Sequence, residues 1–412
     1  MFADFPVGFG AGVLRDDKEH IDVSTWNDTL YTLEDLTRQS NINPHNHNGT
    51  MSAGSDFETS RGAFWVNDKG NVWTDTAQAS GVDAHVYSGW IYDYLNVKLS
   101  GKAVDSLDNI GMSNFVDEAQ FGFDNACYCD RGTLFIGAES TKHSFAAGLD
   151  ILAHEWGHAL IGFTSKMTKS NNGETAALNE SFSDMFGVSV GFTYNDRDWE
   201  MGDDVFKTGP GRLRDLSDPT REGDADTYRD TTRGWRRVTG CVPVCQLQDP
   251  QFNDCCYSHT NNGVPNKMFY LLAEGGFFND ITVTGIGIDS AMKVMYLANE
   301  TRRWRETTNF LEARIGSIQI ADSLNPSWGQ ELRKAWDAVN VCDKGDVNGD
   351  GTKSPADIVE LLLCAFTDPS YCNPCEGDMN CDWQFTPSDV VIELGVVFAG
   401  SYNGKQDGCP DP

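Results

Sequence analysis

Basic residues are scarce in this chain: 31 Lys and Arg stand against 61 Asp and Glu, a formal charge of −30 over 412 residues. A surface of that sign repels phosphate backbones and anionic headgroups, so neither nucleic acid nor an acidic membrane is expected as a partner. No apolar run is long enough to span a bilayer, and residues 1–25 lack the apolar core of a secretory leader. The chain is therefore expected to be a mature protein, with leader and pro-segment absent. Histidine is scarcer still, eight in all, which makes any pattern built on two of them informative.

Cysteine is plentiful and falls into two sets of six: Cys127, Cys129, Cys241, Cys245, Cys255 and Cys256, then Cys342, Cys364, Cys372, Cys375, Cys381 and Cys409. Even sets imply disulfides and an oxidising, extracellular compartment, and they leave the pairing open. A zinc ion on Cys372-x-x-Cys375 would need a second cysteine pair at a matching distance, and the usual spacing is missing.

Residues 1–150 are rich in Thr, Val, Trp and Tyr with frequent Asn and Gly turns, which predicts strands. From Ser144 the apolar spacing turns helical, with Phe145, Leu149, Leu152, Trp156 and Leu160 on one stripe. A second helix is predicted near residues 176–194 and a third from about Asn266. Together these give an α+β protein whose site lies in a cleft between a β-rich lobe (1–150) and a helical lobe (151–341).

The first helix carries His154-Glu155-Trp156-Gly157-His158. Positions i and i+4 share a helix face, so both imidazoles can meet one metal ion with Glu155 beside them. A catalytic zinc takes three protein ligands and keeps one position open. Glu180, in Asn179-Glu180-Ser181-Phe182-Ser183-Asp184, supplies the third. The pattern with a third histidine shortly after the second is excluded, because Ile161 and Thr164 occupy the places of its glycine and histidine. Zinc held there would lower the pKa of a water, with Glu155 as general base.

These residues resemble the thermolysin family of zinc metalloendopeptidases. The likeness runs from Val7-Gly8-Phe9-Gly10-Ala11-Gly12-Val13-Leu14 through Val82-Asp83-Ala84-His85 to Ala335-Trp336-Asp337-Ala338-Val339 and implies a two-lobed thermolysin-like fold. It implies that Asp184 orients His154, that Asn179 supports His158, and that His259 stabilises the oxyanion with Asp254 as its partner. It further implies that Asn125-Ala126 forms the edge along which substrate backbone lies. Arg214 then clamps a substrate carbonyl or serves as a structural ion pair, or both. Ile151, Met201, Val205 and Leu213 would line the pocket for the residue after the scissile bond, which favours bulky apolar side chains. Asp150, Asp198, Glu200 and Asp203 would bind calcium; Gly191 replaces one further carboxylate, so about one ion is expected there. The family's oxyanion tyrosine is missing, since no tyrosine lies between His158 and Glu180.

After Val341 the composition shifts: residues 343–412 hold 13 acidic and 3 basic side chains. Asp346, Asn348, Asp350, Thr352 and Asp357 recur 32 residues later as Asp378, Asn380, Asp382, Gln384 and Asp389. Oxygen ligands at positions 1, 3, 5, 7 and 12 are the arrangement of an EF-hand calcium loop. With Asp at position 12 and only the exiting helix present, residues 342–412 resemble a dockerin module, which implies up to two calcium ions and a cohesin-like partner. Trp383 stands where the second loop would have its turn glycine. The bland reading is an acidic, disulfide-bonded tail. For the whole chain two alternatives stand beside the endopeptidase: an inactive protease scaffold docked through its tail, and an unrelated zinc hydrolase such as an aminopeptidase. The first predicts loss of a zinc ligand or of Glu155, and all four residues are present.

Overall fold

The structure, a computed structural model, describes residues 7–11, 17–22, 24–27, 30–32, 42–47, 63–65, 67–68, 72–74, 78–99, 112–116, 125–128, 133–136, 145–167, 173–194, 197–207, 211–237, 255–348, 352–367, 374–380 and 384–399. The chain forms two compact units, one of Met1–Lys166 with Phe182–Asp215, the other of Met167–Ser181 with Leu216–Pro412.

In the first unit the strand-like composition yields a five-stranded sheet, ordered Ala126–Tyr128, Thr133–Ile136, Met112–Val116, Ile42–His47, Ala63–Trp65. Its inner pairs are parallel and its outer pairs antiparallel. Among the described residues Ala126–Tyr128 ends that order, so it is the edge strand of this sheet. The same segment also contains helix α1 (Ala79–Lys98), 15 of whose 20 residues are buried. A helix covered on nearly every side has no polar face and no amphipathic period.

Helix α2 (Leu149–Phe163) follows a 3₁₀ turn, Phe145–Ala147, and the stripe Phe145, Leu149, Leu152, Trp156 and Leu160 is buried throughout. It stops at Thr164, whose hydroxyl donates back to the Leu160 carbonyl. Helix α3 (Gly173–Thr193) begins in one unit and continues into the other. Gly157 sits where α2 and α3 come closest: a Cβ there would fall 2.7 Å from Ser183 Cα. Only glycine permits that approach, and it brings Ser183 and Asp184 alongside the histidine helix.

The second unit is mainly helical. Helices α4 (Gly263–Glu274), α5 (Ile288–Glu300), α6 (Phe310–Leu324) and α7 (Pro326–Ala338) bury Phe269, Trp304, Phe310 and Trp336 completely. A capping box of Asn309 and Glu312 starts α6, and Asn325 with Pro326 starts α7.

The tail adds α8 (Pro355–Phe366) and α9 (Pro387–Ala399), which pack through Ile358, Leu361, Cys364, Met379 and Val390. Two links close the tail on itself and a third joins it to α6. Cys342 and Cys375 form a disulfide, and Gly345 N donates to the Glu376 carbonyl at 2.9 Å. Buried Arg314 on α6 reaches Asp337 at 2.9 Å and Glu376 at 2.6 Å. The change of composition at Val341 is therefore no break in the packing. Cys256 and Cys364 are also disulfide-bonded.

Candidate metal and active site

Ligand atoms of His154, His158 and Glu180 all lie within 4.8 Å of one another. The rings of His154 and His158 stand edge to face, centroids 4.6 Å apart, as i,i+4 neighbours on α2. Each ring has its Nδ1 engaged, by Asp184 Oδ1 at 2.7 Å for His154 and by Ser183 Oγ at 3.0 Å for His158. With Nδ1 so engaged, Nε2 is the atom that each ring would turn to a metal, in the tautomer such a ligand needs. Glu180 is fully buried. Two imidazoles and a buried carboxylate form a donor set that fits zinc.

Asp184 is held by more than His154. Arg214 donates from Nε to Oδ2 at 2.8 Å and from its terminal nitrogen to Oδ1 at 2.7 Å. Burial opposes ionisation of this carboxyl, yet Arg214 and His154 together outweigh it and hold it well below the usual range. Arg214 is thus at least the structural partner of Asp184, one of the two roles the sequence left open.

Ser183 meets His158 from the position before Asp184. The Asn179 amide donates to the Met167 carbonyl at 2.7 Å, steadying the chain after α2. A serine inside a helix carries no motif, so the sequence offered no signal for Ser183 beyond its place beside Asp184.

Glu155 is buried, and its Oε2 accepts the amide of Tyr128 at 2.6 Å. The carboxylate therefore faces the sheet edge that begins at Asn125-Ala126. His259, on the short turn Ser258–Asn261, directs Nε2 to Glu180 Oε2 at 3.1 Å. Two left-handed residues, Cys256 and Tyr257, precede it and set that turn. Asn261 holds both the amide and the carbonyl of Arg236 at 2.9 Å. Asp254 lies outside the described residues.

Ile151 and Leu213 converge over Gly202: a Cβ there, in a left-handed backbone, would fall 2.9 Å from Leu213 and 3.2 Å from Ile151. Met201 and Val205 beside them are buried. The acidic group borders the same stretch. Asp150 Oδ1 accepts the Ile151 amide at 2.8 Å and Oδ2 accepts Gly202 N. Burial, with Asp203 and Asp204 nearby, pushes Asp150 up to about 7; burial and then Asp198 push Asp203 up to about 6. A buried Asp203 oxygen has no hydrogen-bond partner. Carboxylates that raise one another in this way fit a cation. Glu200 is tied to Arg212 at 2.8 Å.

In the tail, Asp350 and Asp382 lie outside the described residues, while Thr352 and Gln384 are exposed. Asp346, Asp357, Asp378 and Asp389 are buried. The sequence repeat is repeated in geometry: Asp357 accepts from Asn348 N at 3.1 Å and Ser354 N at 2.7 Å, Asp389 from Asn380 N at 3.0 Å and Thr386 N at 2.8 Å.

Residues 7–162 match the thermolysin metallopeptidase catalytic domain, and residues 170–341 match the alpha-helical domain of the same family. The chain belongs to the thermolysin metallopeptidase family. It is 33% identical over 345 residues to bacillolysin of Bacillus cereus, covering 81% of this chain and 55% of that protein. The same identity and span hold for thermolysin of Alicyclobacillus acidocaldarius subsp. acidocaldarius, with 57% of that protein covered. The chain thus spans little more than half the length of these relatives. Among solved structures, the precursor of protealysin, a metalloproteinase from Serratia proteamaculans, superposes with a TM-score of 0.54 at 18% identity, over 78% of this chain and 90% of that one. That likeness supports the thermolysin-like fold. The family matches end at residue 341 and leave the tail unassigned.

Proposed function

We propose that this protein is a secreted zinc endopeptidase. Zinc, when bound by His154, His158 and Glu180, lowers the pKa of a water and polarises the scissile carbonyl. Glu155 takes the water's proton and returns it to the leaving amine. The Tyr128 amide keeps Glu155 turned toward the substrate edge. His259 donates to the oxygen on which charge develops. The Asn125-Ala126 edge strand pairs with an extended peptide, which favours cleavage within chains over removal of single terminal residues. Ile151, Met201, Val205 and Leu213 select a bulky apolar residue after the scissile bond, and Asp150, Asp198, Glu200 and Asp203 hold about one calcium ion. The carrying observation is the buried three-ligand cluster with Glu155 beside it. Casein hydrolysis that is lost with a zinc chelator and restored by zinc tests the reading; chelator-resistant hydrolysis rejects it.

We further propose that residues 342–412 form a dockerin-like module with up to two calcium ions and a cohesin-like protein partner. Support comes from its exposed apolar side chains, which repeat in register: Val359 with Val391, Leu362 with Leu394, Phe366 with Phe398. A face of that kind marks a protein-binding surface. Substituting Phe366 and Phe398 together by serine is expected to abolish capture by a cohesin domain without altering casein hydrolysis.

A further inference from the structure

Glu393 on α9 is fully buried, and neither of its carboxylate oxygens has a hydrogen-bond partner. Its counterpart 32 residues earlier on α8 is Leu361, equally buried. The two positions face matching places. A Cβ on Gly377, just before the second loop, would meet Leu361 at 3.2 Å, and a Cβ on Gly345, just before the first, would meet Glu393 Oε2 at 2.6 Å. Each helix therefore packs on the start of the other repeat's loop, and where one repeat uses an apolar core residue the other uses a carboxylate.

A buried carboxylate is costly unless its charge is met. Glu393 Oε2 lies against the backbone immediately before Asp346, where Asp357, Asp343 and Asp346 act on it through space against Lys353, itself bonded to Asp343 at 2.9 Å. Asp346 and Asp357 are the first and last side-chain ligands expected in the first loop. We infer that Glu393 belongs to that loop's cation site: calcium held by the first repeat also draws on a carboxylate supplied by the helix of the second. This rests on the calcium reading above. It makes the first site richer in charge than the second, where Leu361 occupies the matching place, and it lets one ion pin the two repeats together.

Calcium titration of the full chain, carrying Glu155→Gln to prevent self-digestion, identifies the first-loop event as the one lost in Asp357→Ala and the second-loop event as the one lost in Asp389→Ala. Glu393→Gln and Glu393→Leu are expected to weaken the first event on the order of tenfold or more and to spare the second. Glu393→Leu, which installs the residue of the other repeat, is also expected to raise the unfolding midpoint of the calcium-free chain. First-loop affinity unchanged in both variants overturns the assignment of Glu393 while the calcium reading stands. If neither Asp357→Ala nor Asp389→Ala removes an event, the calcium reading falls and this inference with it.

Discussion

Ser183 Oγ lies 3.0 Å from His158 Nδ1. The next residue on the same helix, Asp184, makes the matching contact to His154, so two adjacent residues of α3 orient both histidines of α2. Ser183→Ala is expected to weaken zinc binding by about 10- to 100-fold, measured by competition with a chromogenic chelator. Alanine suits a helix at least as well as serine, so the fold should survive. Wild-type zinc affinity in this variant would show that His158 is oriented by another group.

Glu155→Gln keeps the side chain's shape and removes its basicity. Proteolysis is expected to fall by on the order of 100-fold or more while zinc content stays at the wild-type level. Peptide cleavage within a few-fold of wild type, in protein of verified metal content, would remove Glu155 from the role of base.

His259→Ala is expected to reduce kcat on the order of 1000-fold with a much smaller change in KM, because an oxyanion donor acts chiefly in the transition state. The missing family tyrosine places this loss at the high end. A change confined to KM would make His259 a substrate-binding group only.

Asp150 bears on the pH dependence of stability. Its carboxyl rises from an ordinary 3.8 to about 7 in the folded chain. Between those values the folded state keeps a proton that the unfolded state releases, so stability falls as pH rises through that window. In calcium-free buffer, wild type should hold its greatest advantage over Asp150→Asn near pH 4, about the unfolded value, and lose it steadily as pH rises. The variant should become the more stable as pH approaches 8, about a unit above the folded value. Added calcium should reverse that order. Thermal scans across the range decide it, and a constant gap would mean that Asp150 is already ionised in the folded protein.

The cluster of His154, His158 and Glu180 and the helices that carry it were legible because metal chemistry fixes both residue type and spacing. Helix α1 was not, since a helix buried on nearly all sides shows no 3.6-residue alternation and its Tyr and Val content suggests strands. Ser183 and Tyr128 act through a hydroxyl and a backbone amide, which leave no mark on the residue pattern. Glu393 and Arg314 read as ordinary surface charges. Only packing reveals that each is buried.

Arg314 draws the catalytic fold and the tail into one charge balance. Ending the chain at Val341, where the family matches stop, would remove Glu376 and the Cys342–Cys375 bridge and leave a buried guanidinium with Asp337 alone. Losing one partner of a buried ion group typically costs about 3–5 kcal/mol. A shortened enzyme should therefore melt earlier although no residue near the zinc ligands has changed. The tail is thus a stabilising part of the helical unit rather than a slack appendage, because Glu376 is one of the carboxylates paired with Arg314.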